Sequence, residues 1–217
     1  MDHLRQQIEQ KIEQLASEYR NAPATILTED DLQCLLVDRL LDVPELSLVK
    51  PTRDADVRGT MVHTEVSWFD ENGRLRIKPD ITILEPSNLS IFHGSDGCSL
   101  PRKGFTFDGR AVIFELKLIR GRSGVTKRSV AAIRRDLDKI TRLLTKLENE
   151  GVANHVFCYF VVFSKVDRHS PELDGLASRC GANHRLAFMY KTAGVTWPKN
   201  SRTASNTELE PTAPRRR

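Results

Sequence analysis

The chain predicts a mixed α/β (α+β) domain: a central sheet of four or five strands, flanked by helices, in the order ααβββαβαβ. Three observations carry this. Apolar residues recur at intervals of three and four over 3–20 and 127–149, the period of a helix with one buried face. β-Branched and aromatic residues crowd into 75–84, 111–118 and 156–163, runs of strand length. A long helix lies between the last two runs, which asks for a right-handed parallel crossover, while a hairpin signal lies earlier; the sheet is therefore mixed.

Leu4, Ile8, Ile12, Leu15 and Tyr19 make the stripe of the first helix, and Asn21-Ala22-Pro23 breaks it. That stripe packs either on the core or on a second subunit, which leaves a homodimer open. Thr28 reads as an N-cap, with Glu29, Asp30 and Asp31 where the helix dipole favours acids. Leu32, Leu36 and Leu40 carry this second helix to Asp42, ahead of Pro44. Residues 50–60 read as a polar loop. Val62, Thr64, Val66 and Trp68 alternate with polar neighbours as a strand, and Asp70-Glu71-Asn72-Gly73 signals a hairpin into 75–84. Four glycines and two prolines make 85–110 an irregular insertion. The strand 111–118 ends at Gly121-Arg122-Ser123-Gly124. The helix 127–149 follows, with Val130, Ile133, Leu137, Ile140, Leu144 and Leu147 inward and Gly151 as its C-cap signal. The near-continuous apolar run 156–163 predicts a strand covered on both faces. Ser170-Pro171 opens a short helix to Gly181, and Leu186 to Tyr190 form a last strand. Residues 1–196 thus read as one domain with its core at 28–164. Residues 197–217 are rich in Pro, Thr, Ser and Arg and predict a disordered basic tail.

No apolar run approaches the roughly 20 residues that span a bilayer, so no membrane segment is expected. The polar start, Met1 to Gln7, is unlike a secretory signal, and a cytoplasmic location is the expectation. Four scattered cysteines lack the spacing of a structural zinc site; Cys34 and Cys158 sit in apolar patterns and read as core thiols. The net charge is +4, but from Pro198 on five cations face two acids, so +3 of it belongs to the tail. Overall charge is therefore poor evidence for a polyanion partner. Local clustering is better. Arg120, Arg122, Lys127, Arg128, Arg134 and Arg135 fall in one stretch without an acid, a patch that attracts nucleic-acid phosphates. The alternative is a solvated loop and helix face.

Charge inside apolar strands is the chemical signal. Asp80 lies in Lys78-Pro79-Asp80-Ile81-Thr82-Ile83-Leu84, and Glu115 and Lys117 in Ala111 to Leu118. A charge on a buried strand costs several kcal/mol unless paired or bound to a cation. Alternation puts Glu115 and Lys117 on one face, about 7 Å apart along the strand. If Asp80 comes alongside, two carboxylates and a lysine meet, a set suited to a hard divalent cation and a positioned water. The competing reading is an ion pair on an edge strand, with Asp80 at a strand end facing water.

A Pro-Asp strand followed by a Glu-Leu-Lys strand, in this order of elements, resembles the PD-(D/E)XK nuclease superfamily, the restriction-endonuclease-like fold. The resemblance covers roughly 28–164 and extends to Glu29 and to Asp136-Leu137-Asp138-Lys139. The 35 positions between Asp80 and Glu115 are more than many members use. The resemblance implies a metal-dependent endonuclease hydrolysing nucleic-acid phosphodiesters, DNA before RNA. Asp80, Glu115 and the Leu116 carbonyl would hold Mg²⁺ or Mn²⁺, and Lys117 would orient or deprotonate a water. Glu29 and Glu65 are further candidates for the site. Glu29 also reads as an acid favoured by the dipole. Arg120, Arg122, Lys127 and Arg128 would grip phosphates. Asp136 and Lys139 read as a surface pair near Lys117, and His63 and His93 as ordinary polar residues. The superfamily also has inactive members, so a nucleic-acid-binding or assembly protein is the alternative function.

Overall fold

A computed structural model of the chain describes residues 2–54, 56–69, 75–91, 105–107, 109–149, 156–167 and 170–195. Five strands form one mixed sheet in the order β11-β10-β9-β6-β3. β9 (Ala111–Ile119), β10 (Val156–Ser164) and β11 (Leu186–Thr192) are mutually parallel. β6 (Ile81–Leu84) runs antiparallel to β9, and β3 (Val62–Thr64) antiparallel to β6. The crossovers are α4 (Lys127–Asn149) and α5 (Pro171–Gly181), and α3 is the short helix Pro44–Ser47.

Helices cover both faces of the sheet. On one side α1 (Asp2–Asn21) and α2 (Glu29–Leu41) bury Ile8, Ile12, Leu15, Tyr19, Leu32, Leu36 and Leu40 against Phe114, Leu116, Tyr159 and Phe163. On the other, α4 and α5 pack on Ile113, Phe160 and Val162. Every residue of β10 is buried, as its unbroken apolar run requires. The stripe of α1 is used up on this core. The Tyr159 hydroxyl ties the helix down by donating to Glu9 Oε1 at 3.0 Å, and the Arg5 guanidinium stacks 3.8 Å from the Phe157 ring centre.

Two predicted strands are interrupted. The run 62–69 divides into β3 and β4 (Trp68–Phe69), because Glu65 adopts a left-handed φ of 54° that turns the chain out of the ladder. The run 75–84 divides into β5 (Leu75–Ile77) and β6, with Pro79 between them, a residue that has no N–H for a ladder. β4 and β5 pair with each other as a separate ribbon. The loop 50–60 contains a short antiparallel pair, β1 (Lys50–Pro51) with β2 (Arg58–Gly59). In the predicted insertion, β7 (Leu89–Ser90) pairs with β8 (Thr106–Phe107). The hairpin tip 70–74, residues 92–104 and 108 of the insertion, Gly151 and the tail from 196 lie outside the described residues. Cys34 is exposed on α2 and is not a core thiol, since it falls off the Leu32-Leu36-Leu40 stripe; Cys158 is buried.

α2 starts from a full capping box. Thr28 Oγ1 accepts from the Asp31 N–H at 3.0 Å, and the Asp31 carboxylate accepts from the Thr28 N–H at 2.9 Å. Thr28→Ala is therefore expected to destabilise the fold by about 1 kcal/mol. Urea unfolding measures this, and Thr28→Ser should recover most of the loss.

Candidate functional site

The site is built at the place where β6 and β9 part. Ile81 pairs with Phe114, so Asp80, just before β6, arrives beside Glu115. Its backbone is held on three sides. The Asp80 N–H donates to the Phe114 carbonyl at 3.0 Å, and its carbonyl accepts from the Glu65 N–H at 3.0 Å. The Gln33 side-chain amide of α2 donates to the same carbonyl at 2.5 Å. Beyond Asp80 no strand of the described residues pairs with this side of β9, and side chains take its place. Asp80 Oδ2 accepts from the Leu116 N–H at 2.6 Å, and Glu29 Oε1 accepts from the Leu118 N–H at 3.2 Å. A strand residue's N–H and C=O leave on the same side, so the Leu116 carbonyl faces the same opening as the Asp80 carboxylate.

Glu115 and Lys117 point to the face covered by α4. Lys117 Nζ lies 2.7 Å from Glu115 Oε1 and 3.4 Å from Asp136 Oδ2 of α4. Asp136 in turn holds Lys139 at 2.8 Å. The side chains of Glu115, Lys117 and Asp136 are only 14%, 21% and 22% exposed, so these charges act through a largely dry medium. β9 is the middle strand of five, which rules out a pair on an edge strand.

Burial dominates the titration. It pushes the Asp80 carboxyl up to about 6; the Leu116 N–H pulls the other way, and the Glu115 charge adds to the rise. Burial likewise raises Glu115 against the attraction of Lys117. For Lys117 burial works against the ammonium, but Glu115, with Asp136 and Glu29, outweighs it and raises the pKa above the ordinary value. Lys117 is therefore a cation at neutral pH, a donor of hydrogen bonds and no ready base. Burial also works against the Asp136 carboxylate, but its bonds and charge contacts with Lys139 and Lys117 prevail and lower its pKa.

The structure thus brings Asp80, Glu115, Lys117, the Leu116 backbone and Glu29 together. Glu65 is turned away: its carboxylate pairs with Lys78 at 2.5 Å on an exposed surface, and only its backbone touches Asp80. Arg120, Arg122, Lys127 and Arg128 are exposed on the loop after β9 and the start of α4. His63 Nε2 lies 2.9 Å from the Thr60 carbonyl, and burial lowers its pKa, as for an ordinary half-buried histidine. His93 is outside the described residues. The sequence reading missed Gln33, whose one signal is its place a turn after Glu29 on α2.

The donors available to a cation are two carboxylates and a backbone carbonyl, the oxygen set a hard divalent ion prefers. Among the described residues no three Asp, Glu, His or Cys side chains cluster closely enough to hold a metal by themselves, so such an ion would need the backbone oxygen or water. A cavity of ≈ 560 Å³, lined by His3, Glu45, Glu85 and Arg110 among others, opens at the opposite end of β6 and β9 and shares none of these groups. Among the described residues no helix is long and apolar enough to cross a membrane. Compared with protein-family models, with curated proteins and with solved structures, the chain finds no match.

Asp80 gives a stability test in metal-free buffer. Its folded pKa is raised from 3.8 to about 6, so folding favours the protonated form. That contribution is complete below 3.8 and is lost as pH rises through 6. Asp80→Asn should therefore gain on the wild type by about 2 kcal/mol between pH 4 and 7.5. Urea unfolding across that range measures it, and a constant difference would contradict the buried carboxylate.

Proposed function

We propose that the chain is a metal-dependent nuclease of the PD-(D/E)XK type, acting on nucleic-acid phosphodiesters and on DNA first. The observation that supports this most directly is the convergence of Asp80, Glu115 and Lys117 at the fork of two strands, with Asp80 fixed by four backbone or amide hydrogen bonds. Asp80, Glu115 and the Leu116 carbonyl would hold Mg²⁺ or Mn²⁺. The order of the sheet, with a hairpin side and a β-α-β side, is compatible with the restriction-endonuclease-like core. When bound, such an ion polarises a phosphodiester and lowers the pKa of an attacking water.

The protein's own groups do the rest. Lys117, kept charged by Glu115 and Asp136, donates hydrogen bonds that orient the water or a phosphate oxygen. The proton leaving the water passes to solvent or to a phosphate oxygen. Glu29, on the Leu118 N–H, adds negative charge on the same side of β9. Arg120, Arg122, Lys127 and Arg128 contact the phosphate backbone. A second reading, a binding or assembly protein of the same fold without catalysis, is favoured by the Lys117 ammonium lying on Glu115, the carboxylate that a metal would need.

Plasmid and single-stranded DNA incubated with Mg²⁺ or Mn²⁺ separate the two. Cleavage is expected from the wild type, falling by about 10²-fold or more in Asp80→Ala and in Lys117→Ala. Cleavage equal in all three proteins would sink the site. Binding that is sensitive to salt, with no cleavage by the wild type, would establish the second reading.

A further inference from the structure

α4 carries more basic charge than its first turn. Arg128, Arg135 and Arg142 recur every seven residues and are exposed, on the side of the helix opposite the buried Ile133, Leu137, Ile140 and Leu144. Lys139 extends the same face one turn beyond Arg135. Of the acids at the middle of the helix, Asp136 pairs with Lys117 inward and with Lys139 of this face, and Asp138 lies 3.6 Å from Arg179, so Arg128, Arg135 and Arg142 carry the stripe. The stripe from Arg128 to Arg142 is about 21 Å long at 1.5 Å per residue, the length of about six base pairs at 3.4 Å each. It starts beside the loop of Arg120 and passes Asp136, the partner of Lys117. Length and sign suit a rigid polyanion.

α4 itself carries no aromatic ring on which an unpaired strand could stack. The large hydrophobic side chains exposed among the described residues are Leu27, Leu41, Leu48, Val49 and Ile91, none aromatic and none on α4. Single strands are held by stacking their bases on aromatic rings as well as by charge. A face of arginines without rings reads the backbone alone.

We propose that the α4 stripe is a docking surface for the phosphate backbone of double-stranded nucleic acid. This rests on the nucleic-acid reading above, though not on catalysis. The test compares wild type with the triple variant Arg128→Gln, Arg135→Gln, Arg142→Gln. Anisotropy follows a duplex of about 20 base pairs, and a single strand of equal length, in EDTA over a salt series. The wild type should bind duplex more tightly than single strand. The variant should lose at least about 30-fold in duplex affinity, and its log K against log salt should be shallower by about 2.7. Exposed Arg→Gln changes should leave thermal unfolding in place. Should the triple variant misfold, single Arg135→Gln and Arg142→Gln should each reduce the slope by about 0.9. Unchanged slope and affinity in the variants, or a wild type that prefers the single strand, would overturn the proposal. A wild type that binds duplex through the stripe and never cleaves would remove only the catalytic reading. Cleavage by a variant whose binding is unchanged would remove only the stripe.

Discussion

A strand buried on both faces must find a partner for each N–H it carries, and on one side β9 runs out of strand at Leu116. β6 covers β9 for four residues and then leaves, because Pro79 has no N–H to continue the ladder and Glu65 turns its strand away. Two N–H groups, of Leu116 and Leu118, are left on a central strand. Asp80 and Glu29 accept from them, one from the departing chain and one from the start of α2. The requirement that a buried donor be satisfied thus draws two carboxylates to one end of the sheet. The chemistry of the site is a consequence of how the ladder ends.

Drawing acids into a dry place has an electrostatic cost, and the fold offsets it with lysine. Asp80 and Glu115 are both raised by burial, so at neutral pH their charges strain the folded state. Lys117 relieves Glu115, and Asp136 fixes Lys117 from the opposite element. The chain of contacts Glu115, Lys117, Asp136, Lys139 alternates in sign from strand to helix surface. On the proposed reading, a divalent ion at the carboxylates would relieve the same strain more fully.

Most of the elements were legible because each is governed by local pattern. The α4 range, 127–149, follows from its apolar stripe alone, and β10 from its unbroken apolar run. The breaks at Glu65 and Pro79 were not legible as breaks: both runs alternate or continue as strands should, and only pairing with β9 shows that one must bend. Asp80, Glu115 and Lys117 stood out because charge among β-branched residues is costly. Gln33 did not, since a polar residue on an amphipathic helix is unremarkable until the helix is laid across the fork. Glu29 was legible only as an acid at a helix start; its bond to Leu118, 89 positions away, belongs to tertiary structure. Cys34 was misplaced for the opposite reason, because apolar neighbours in sequence are not neighbours on a helix face.

α4 links these levels through its period. With 3.6 residues per turn, one helix presents three different surfaces. Ile133, Leu137 and Ile140 fill the core, while Arg128, Arg135 and Arg142 face outward. Asp136 sits at the border, buried enough to feel Lys117 strongly and exposed enough to take Lys139. Shifting Asp136 by one position would place it among the arginines or against Leu137, and in neither place could it reach Lys117. The position of this border residue is what connects the electrostatics inside the sheet to the charge outside it.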